Sequence, residues 1–463
     1  MEAIKKRYFG NKEFYRYVLG IAVPMILQNV VTNFVSLLDN IMVGRVGTNE
    51  MSGVSIANQY MFIFNITIFG ALAGPSIFGT QFYGKGDHEG QKYTLRFRLV
   101  IAILITVIAA FILHTFDEPL LSLYISADDD PAAIAETLKY AKEYLNIMLF
   151  GLIPFAFGQV YSSVIRETGE TKIQMIGSFS AVGVNLILDY GLIFGKLGMP
   201  CLGVKGAAIA TVIAKIIEAL VVIVWAHVKK EQNKYIIGLF KGFGIPGDLM
   251  KTMIKKGTPL LFNEFLWVVG VSAISQSYSI RGLDVVAARN IANTISNLFG
   301  VVYIQLGCVI SIIVGQQLGA GKLEEAKETD TKLIVFSVLA SSVVGVLMIP
   351  LAYIFPNVYN TEIAVRELAS YIIIIQALCM PLWALTNAYY FTLRSGGRTG
   401  ITFLFDFVFT WALQIPLSFF LAYGTDMNFR LLFAIVTFAE VVKAIAGHFM
   451  VKSGIWVQNL VDK

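Results

Sequence analysis

Four polar side chains stand at steps of four, four and three along the first long apolar stretch of this 463-residue chain: Gln28, Thr32, Ser36 and Asp39. On an α-helix that spacing puts all four on one face and leaves valine, leucine and isoleucine on the other, so the face is expected to line a cavity. A carboxylate at bilayer depth costs at least about 2.5 kcal/mol and persists only with partners, water or a cation, which makes Asp39 a default candidate for function. A second apolar stretch carries Asn185 and Asp189 one turn apart, so that their oxygens can close on a single ion or proton. A third carries Thr211 inside the small-residue run GAAIAT, where close helix packing lets a hydroxyl reach a neighbour. Two carboxylates, an amide oxygen and a hydroxyl form an all-oxygen set. It suits a hard cation such as Na⁺, or a shared proton, and offers nothing to a soft metal. Asp39 is therefore expected to share a pocket with Asn185 and Asp189, the alternative being a helix-end residue at the membrane interface.

The elements that must hold these side chains are membrane helices. The chain is 56% hydrophobic and only 14% charged, with a mean hydropathy of +0.69, whereas soluble domains carry about 25% charged residues. Charge-poor runs such as 99–113 and 333–355 are of helix length, and their spacing along the chain suggests about twelve spans. None alternates in the manner of a barrel strand, so a β-barrel is not expected. The first apolar run, from Val18 to Val43, is long and lacks a small-residue cleavage site, which marks it as a retained span. Cys201, Cys308 and Cys379 have no metal-ligand spacing and are odd in number, so neither a disulfide framework nor a zinc site is suggested. Most of the 36 lysines and arginines fall in the N-terminus, in alternate loops and in the C-terminal tail. By the positive-inside rule both termini and the middle linker are cytoplasmic, and this bias gives no reason to invoke nucleic acid.

The chain also repeats itself. Pro24 matches Pro259, Gly47 matches Gly282, and Ile56-Ala57-Asn58 recurs as Ile291-Ala292-Asn293, all at a shift of 235. The same shift carries Gln81, Gly84, Gly86, Glu89 and Lys92 onto Gln316, Gly319, Gly321, Glu324 and Lys327. Further on the shift becomes 228, matching Tyr161, Arg166, Gly169, Thr171 and Phe179 to Tyr389, Arg394, Gly397, Thr399 and Phe407. The seven-residue difference is most simply placed in the acidic loop Asp117–Asp130. Two halves of six spans in the same orientation imply parallel repeats, the plan of transporters that work by rocking or bending one lobe against the other. The expected architecture is an all-α integral membrane protein of about twelve transmembrane helices. It comprises two six-helix lobes, 1–226 and 251–463, related by a pseudo-two-fold axis along the membrane normal. The linker 227–250, broken by Gly242, Gly244, Pro246 and Gly247, is expected to flex.

The segment from Ile21 to Asn58 has an early proline in its first span, a Leu-Asp-Asn-Ile-Met-Val-Gly-Arg ending and an Ile-Ala-Asn start to the next span. With both Gln-x-x-Gly-x-Gly turns, it resembles the multidrug and toxic compound extrusion (MATE) transporters, and the likeness extends over essentially the whole chain. The set Asp39, Asn185, Asp189 and Thr211 resembles the bacterial and archaeal branch typified by the DNA-damage-inducible F proteins. That resemblance implies a Na⁺ or H⁺ coupling site in the first lobe and a helix bend at Pro24. It also points to Glu264 as a functional glutamate. The aspartate that other branches place in the tenth span is missing here, and Asp406 in the eleventh is either a substitute or a packing residue.

Lys215 with Glu218, and Glu440 with Lys443, are each three apart and are expected to be internally neutralised pairs that orient helices. Arg166 and Arg394 are expected to anchor the topology. Gln28, Thr32, Ser36 and Gln159 are candidates for lining the substrate path, as are Trp267, Tyr389 and Trp411. The expected function is secondary antiport, as a monomer in the inner membrane, exporting organic, cationic or amphipathic compounds against inward H⁺ or Na⁺ without a cofactor. A flippase for lipid-linked saccharide precursors is the alternative, disfavoured because the inward residues are acidic or neutral. Four unclustered histidines, no nucleophile motif and no Walker motif argue against an enzyme or direct ATP coupling.

Overall fold

The computed structural model describes residues 7–125, 130–242 and 244–462. Residues 126–129, the core of the acidic loop to which the seven-residue difference was assigned, lie outside the described residues. The described chain is all helical. Among the described residues, eleven helices are long and apolar enough to cross a membrane. They are α1 (Lys12–Gly44), α2 (Thr48–Lys85), α3 (His88–Thr115), α4 (Pro131–Glu167), α5 (Thr171–Phe194), α6 (Val204–Val228), α7 (Gly247–Ser279), α8 (Leu283–Gly319), α9 (Leu323–Ile354), α10 (Ile363–Ser395) and α11 (Thr399–Tyr423). The twelfth apolar stretch is present as two pieces, α12 (Phe429–Phe438) and α13 (Glu440–Lys452), interrupted at Ala439. Neither piece alone reaches spanning length, because a span needs about 20 residues.

The helices sort into two compact units. One holds Val23–Gly79 and His88–Lys251; the other holds Met1–Ala22, Thr80–Asp87 and Thr252–Lys463. We call them the N-terminal and C-terminal units. The core of the first is built from α2, α3, α4 and α6 around residues such as Phe64, Leu95, Leu145 and Val160. The core of the second gathers Ile291, Met348, Ile372 and Leu432 from α8, α9, α10 and α12. Within the C-terminal unit, the two Gln-x-x-Gly-x-Gly segments meet. Gly84 lies against the backbone of Gln316, and Gly319 against the backbone of Gln81, so that any Cβ at either position would overlap main-chain atoms. The last glycine of each turn, Gly86 and Gly321, has φ of 78° and 76°, a conformation that costs an L-residue energy and a glycine little.

The linker differs from its expected character. Tyr235, Ile236 and Leu239 are buried, and Lys234–Ile236 forms a 3-10 turn. Arg96 on α3 donates to the carbonyls of Leu239, Gly238 and Gly244 at 2.9, 2.9 and 3.0 Å. Glycine and proline content suggests a loose tether, but an arginine from a neighbouring helix satisfies the carbonyls and three apolar side chains give the segment a core. It is a docked segment of the N-terminal unit.

Candidate functional site: two polar clusters among apolar helices

Asp39 lies in the last two turns of α1, which ends at Gly44, and Asp189 lies in the last two turns of α5. Gly195 stops α5 in a left-handed cap with φ of 65°. Helix C-termini carry partial negative charge, so neither carboxylate gains from its own helix dipole. The two side chains nevertheless lie within interaction reach of each other, and Asn185 lies beside Asp189. Asn185 and Asp189 are buried, at 4% and 1% exposure. Asp39 Oδ1, both oxygens of Asp189 and Asn185 Nδ2 are buried without a hydrogen-bond partner.

Such a group is costly: a buried carboxylate oxygen with no donor carries its full desolvation penalty, and two carboxylates this close repel unless a proton or cation sits between them. The orphaned oxygens therefore fit a cation or a shared proton. Thr211 on α6 donates to the Ala207 carbonyl at 3.0 Å. It joins the site through Tyr144 of α4, whose hydroxyl sits beside Thr211 and Asn58 and close to both carboxylates. Lys215, one turn beyond Thr211, is near enough to act on Asp39 electrostatically. No group of three or more His, Cys, Asp or Glu side chains that could hold a metal ion occurs among the described residues.

The remaining residues of the α1 stripe divide. Gln28 Nε2 donates to Ser178 Oγ at 2.8 Å, and Ser178 Oγ donates to Glu218 Oε1 at 2.6 Å, so Gln28 belongs to the Lys215–Glu218 pair, whose ion-pair distance is 3.0 Å. Thr32 and Ser36 are exposed and donate to the carbonyls one turn back on α1, at 2.9 and 3.1 Å. Gln159 on α4 is half-buried. Helix α1 continues through Pro24, which lacks the N–H that would bond one turn back.

The C-terminal unit holds the second cluster. Asp406 and Glu264 lie in one neighbourhood with Tyr390 and Arg394. Asp406 is engaged: Lys443 Nζ lies 2.6 Å from Oδ1, and Asn263 Nδ2 donates to Oδ2 at 3.0 Å. Lys443 reaches Glu440 at 3.6 Å, so its principal partner is on α11 and not the residue three positions earlier on its own helix. Arg394, expected to anchor the topology, does sit in the last turn of α10, but its side chain is buried. It is 7% exposed and stands over the Phe391 ring, because α10 runs on past it into the turn at Gly396 and Gly397.

Among the contributors to these clusters that the sequence did not single out as site residues are Tyr144, Asn58, Ser178 and Asn263. Asn58 carried a signal through the repeated Ile-Ala-Asn. The other three have none, since an isolated serine, tyrosine or asparagine in an apolar helix most often satisfies itself on its own backbone.

A family model described as MatE matches residues 24–191 and 259–420, which include Asp39, Asn185, Asp189, Glu264 and Asp406. The chain belongs to the MatE family. It is a multi-pass membrane transporter and not an enzyme. The matched segments stop short of Thr211, Glu440 and Lys443 in this MatE chain. Among its relatives, a probable multidrug resistance protein NorM of Thermotoga maritima is 24% identical over 412 residues, covering 88% of this chain and 85% of that protein. A multidrug resistance protein MdtK of Yersinia pseudotuberculosis is 24% identical over 407 residues, with 88% and 87% covered. The solved structure of the Vibrio cholerae MATE transporter VcmN in its bent form superposes with a TM-score of 0.84 at 16% identity, covering 97% of this chain and 98% of that one. At that identity the likeness speaks for the fold.

Proposed function

We propose that this MatE protein is a secondary antiporter that exports organic, cationic or amphipathic compounds while a proton or Na⁺ runs inward. The lobes 1–226 and 251–463 are the moving parts in this proposal, with the protein a monomer in the cell membrane and both termini cytoplasmic. The observation that carries it is the Asp39–Asp189 pair, whose buried oxygens are orphaned among apolar helices. Asn185 and Thr211 complete the oxygen set, and Tyr144 ties α4 to it. Filling the pair with a proton or Na⁺ removes the repulsion between two carboxylates and favours whichever packing of α1 against α5 and α6 keeps them together. Emptying it favours the packing that separates them. An organic cation bound against the emptied pair is released when the ion returns. Moving a two-state equilibrium from 1:99 to 99:1 takes about 5.5 kcal/mol of differential binding, within the reach of neutralising one buried carboxylate pair.

The test is efflux of a fluorescent organic cation from proteoliposomes with a pH gradient and a Na⁺ gradient imposed separately. Wild-type protein is expected to respond to at least one gradient, and the gradient that drives efflux names the ion. Asp39→Asn protein that inserts and melts normally is expected to respond to neither. Wild-type rates from Asp39→Asn would overturn the proposal.

A further inference from the structure

Carrying the two shifts of the repeat through to the polar clusters aligns residues that do not look alike. At 235, Gln28 falls on Asn263; at 228, Ser178 falls on Asp406 and Lys215 falls on Lys443. Each set is a contact network within its own unit. In the N-terminal unit, Gln28 donates to Ser178, Ser178 donates to Glu218, and Lys215 pairs with Glu218. In the C-terminal unit, Asn263 donates to Asp406, Lys443 pairs with Asp406 and Glu440, and Thr386 Oγ1 donates to Glu440 Oε1 at 2.9 Å. The repeat has thus placed a lysine in both clusters but not their glutamates, since at 228 Glu218 falls on Ala446 and Glu440 on Val212, and Asp406 stands where the first copy has Ser178. One ammonium serves one carboxylate in the first copy and two in the second.

The second copy is also shaped around its ammonium. Lys443 Nζ lies 5.2 Å from the centroid of the Phe405 ring and 5.4 Å from that of Phe409, and the ring faces attract a desolvated cation. The side chains of Lys443, Asp406 and Glu440 are 14%, 16% and 10% exposed. Both helices that supply the carboxylates are irregular at this point. A seven-residue π-helical segment, Val408–Gln414, begins two residues after Asp406, and the break at Ala439 adjoins Glu440. Wide turns of that kind are mostly found where a helix is adapted to a site.

We propose that Asp406, Glu440, Phe405 and Phe409 form a receptor for a primary ammonium group, which the chain fills with its own Lys443. The pocket binds a monovalent nitrogen cation through two carboxylates and two ring faces, and the tethered lysine holds it at an effective concentration that free ions do not match. In this cluster the tethered ammonium occupies the place a free cation would take between Asp406 and Glu440, so no Na⁺ binds there. All its residues lie outside the Asp39 site, so the inference does not rest on the proposed coupling mechanism.

The experiment is thermal melting of the purified full chain in detergent, titrated with ethylammonium, Na⁺ or tetramethylammonium chloride at constant ionic strength. Lys443→Ala is expected to melt below wild type, and ethylammonium is expected to restore more than half of the loss in a saturable manner. Na⁺ and tetramethylammonium should not, and wild type and Lys443→Arg should not respond. Failure of ethylammonium to restore Lys443→Ala, equal restoration by Na⁺, or an equal response from wild type would overturn the proposal. Should Lys443→Ala alone not fold, the Lys443→Ala/Asp406→Asn double variant carries the test. It is expected to fold without ammonium and to ignore it, and failure to fold would count against the receptor. Repeating the titration in an Asp39→Asn background separates the two proposals, because the ammonium response should persist there even where coupled efflux is lost.

Discussion

The N-terminal unit holds two neighbouring carboxylates with three buried oxygens that no side chain engages at hydrogen-bond geometry, whereas the C-terminal unit holds two carboxylates clamped by a lysine, an asparagine and a threonine. Both are acid pairs among apolar helices, on halves that descend from one repeat. The difference is how closely a tethered counter-charge approaches: Lys443 contacts Asp406 at 2.6 Å, whereas Lys215 pairs with Glu218 and acts on Asp39 without an ion pair. A tethered ammonium in contact makes a buried acid pair structural; in the proposed mechanism the pair without such a contact takes its counter-charge from outside. Only the second kind can link an ion gradient to a change of shape, because a ligand shifts an equilibrium only by its differential affinity for the two states.

The largest expected effects test that contrast directly. Asp39→Asn and Asp189→Asn should each lower gradient-driven efflux at least about tenfold, a loss of roughly 1.4 kcal/mol or more in the coupled step. Asp406→Asn should leave it within about threefold. Comparable losses from all three, measured in the same liposomes, would erase the distinction between the units.

Next in size is the effect on stability of removing each lysine. Lys443→Met strands two largely buried carboxylates and is expected to cost about 3 kcal/mol. Lys215→Met strands one, in a pair whose lysine side chain is 30% exposed, and is expected to cost about 1 kcal/mol. Detergent melting curves, in which the Lys443 variant should fall further, provide the check.

A smaller asymmetry belongs to the paired amides. Asn263→Ala removes a donor to a carboxylate and should cost about 2 kcal/mol, while Gln28→Ala removes a donor to a hydroxyl that keeps its bond to Glu218 and should cost about 1. The reverse order in melting temperature would mean that the two networks are not equivalent. The smallest effects are expected from Thr32→Ala and Ser36→Ala. Their exposed hydroxyls bond to their own helix, so both stability and efflux should move by no more than about 0.5 kcal/mol.

Much of this was legible in the amino-acid order. Apolar runs of spanning length announce membrane helices because the bilayer admits little else, and the duplicated Pro24/Pro259 and Gly84/Gly319 pairs announce the halves. Asp39 and Asp189 stood out because an ionisable group in an apolar run is rare and costly. Other features were hidden for physical reasons. The linker's glycines signalled freedom, yet Arg96, far away in sequence, binds three of its carbonyls. Glu440 and Lys443 invited pairing by their spacing of three, yet the shorter ion pair crosses to Asp406 on another helix, since proximity along a helix does not decide which of two carboxylates an ammonium meets.

By itself, then, the sequence determined the class of protein, the order of its apolar stretches and its duplication, all of which follow from local hydropathy and spacing. Only the tertiary structure decided which buried charges are neutralised. Whether an ammonium from α13 reaches an aspartate on α11, or two carboxylates from α1 and α5 come within reach of one another, depends on how distant helices are brought side by side. No local pattern encodes that arrangement, and on it rests the difference between an acid pair clamped by a lysine and one whose buried oxygens lack such a contact.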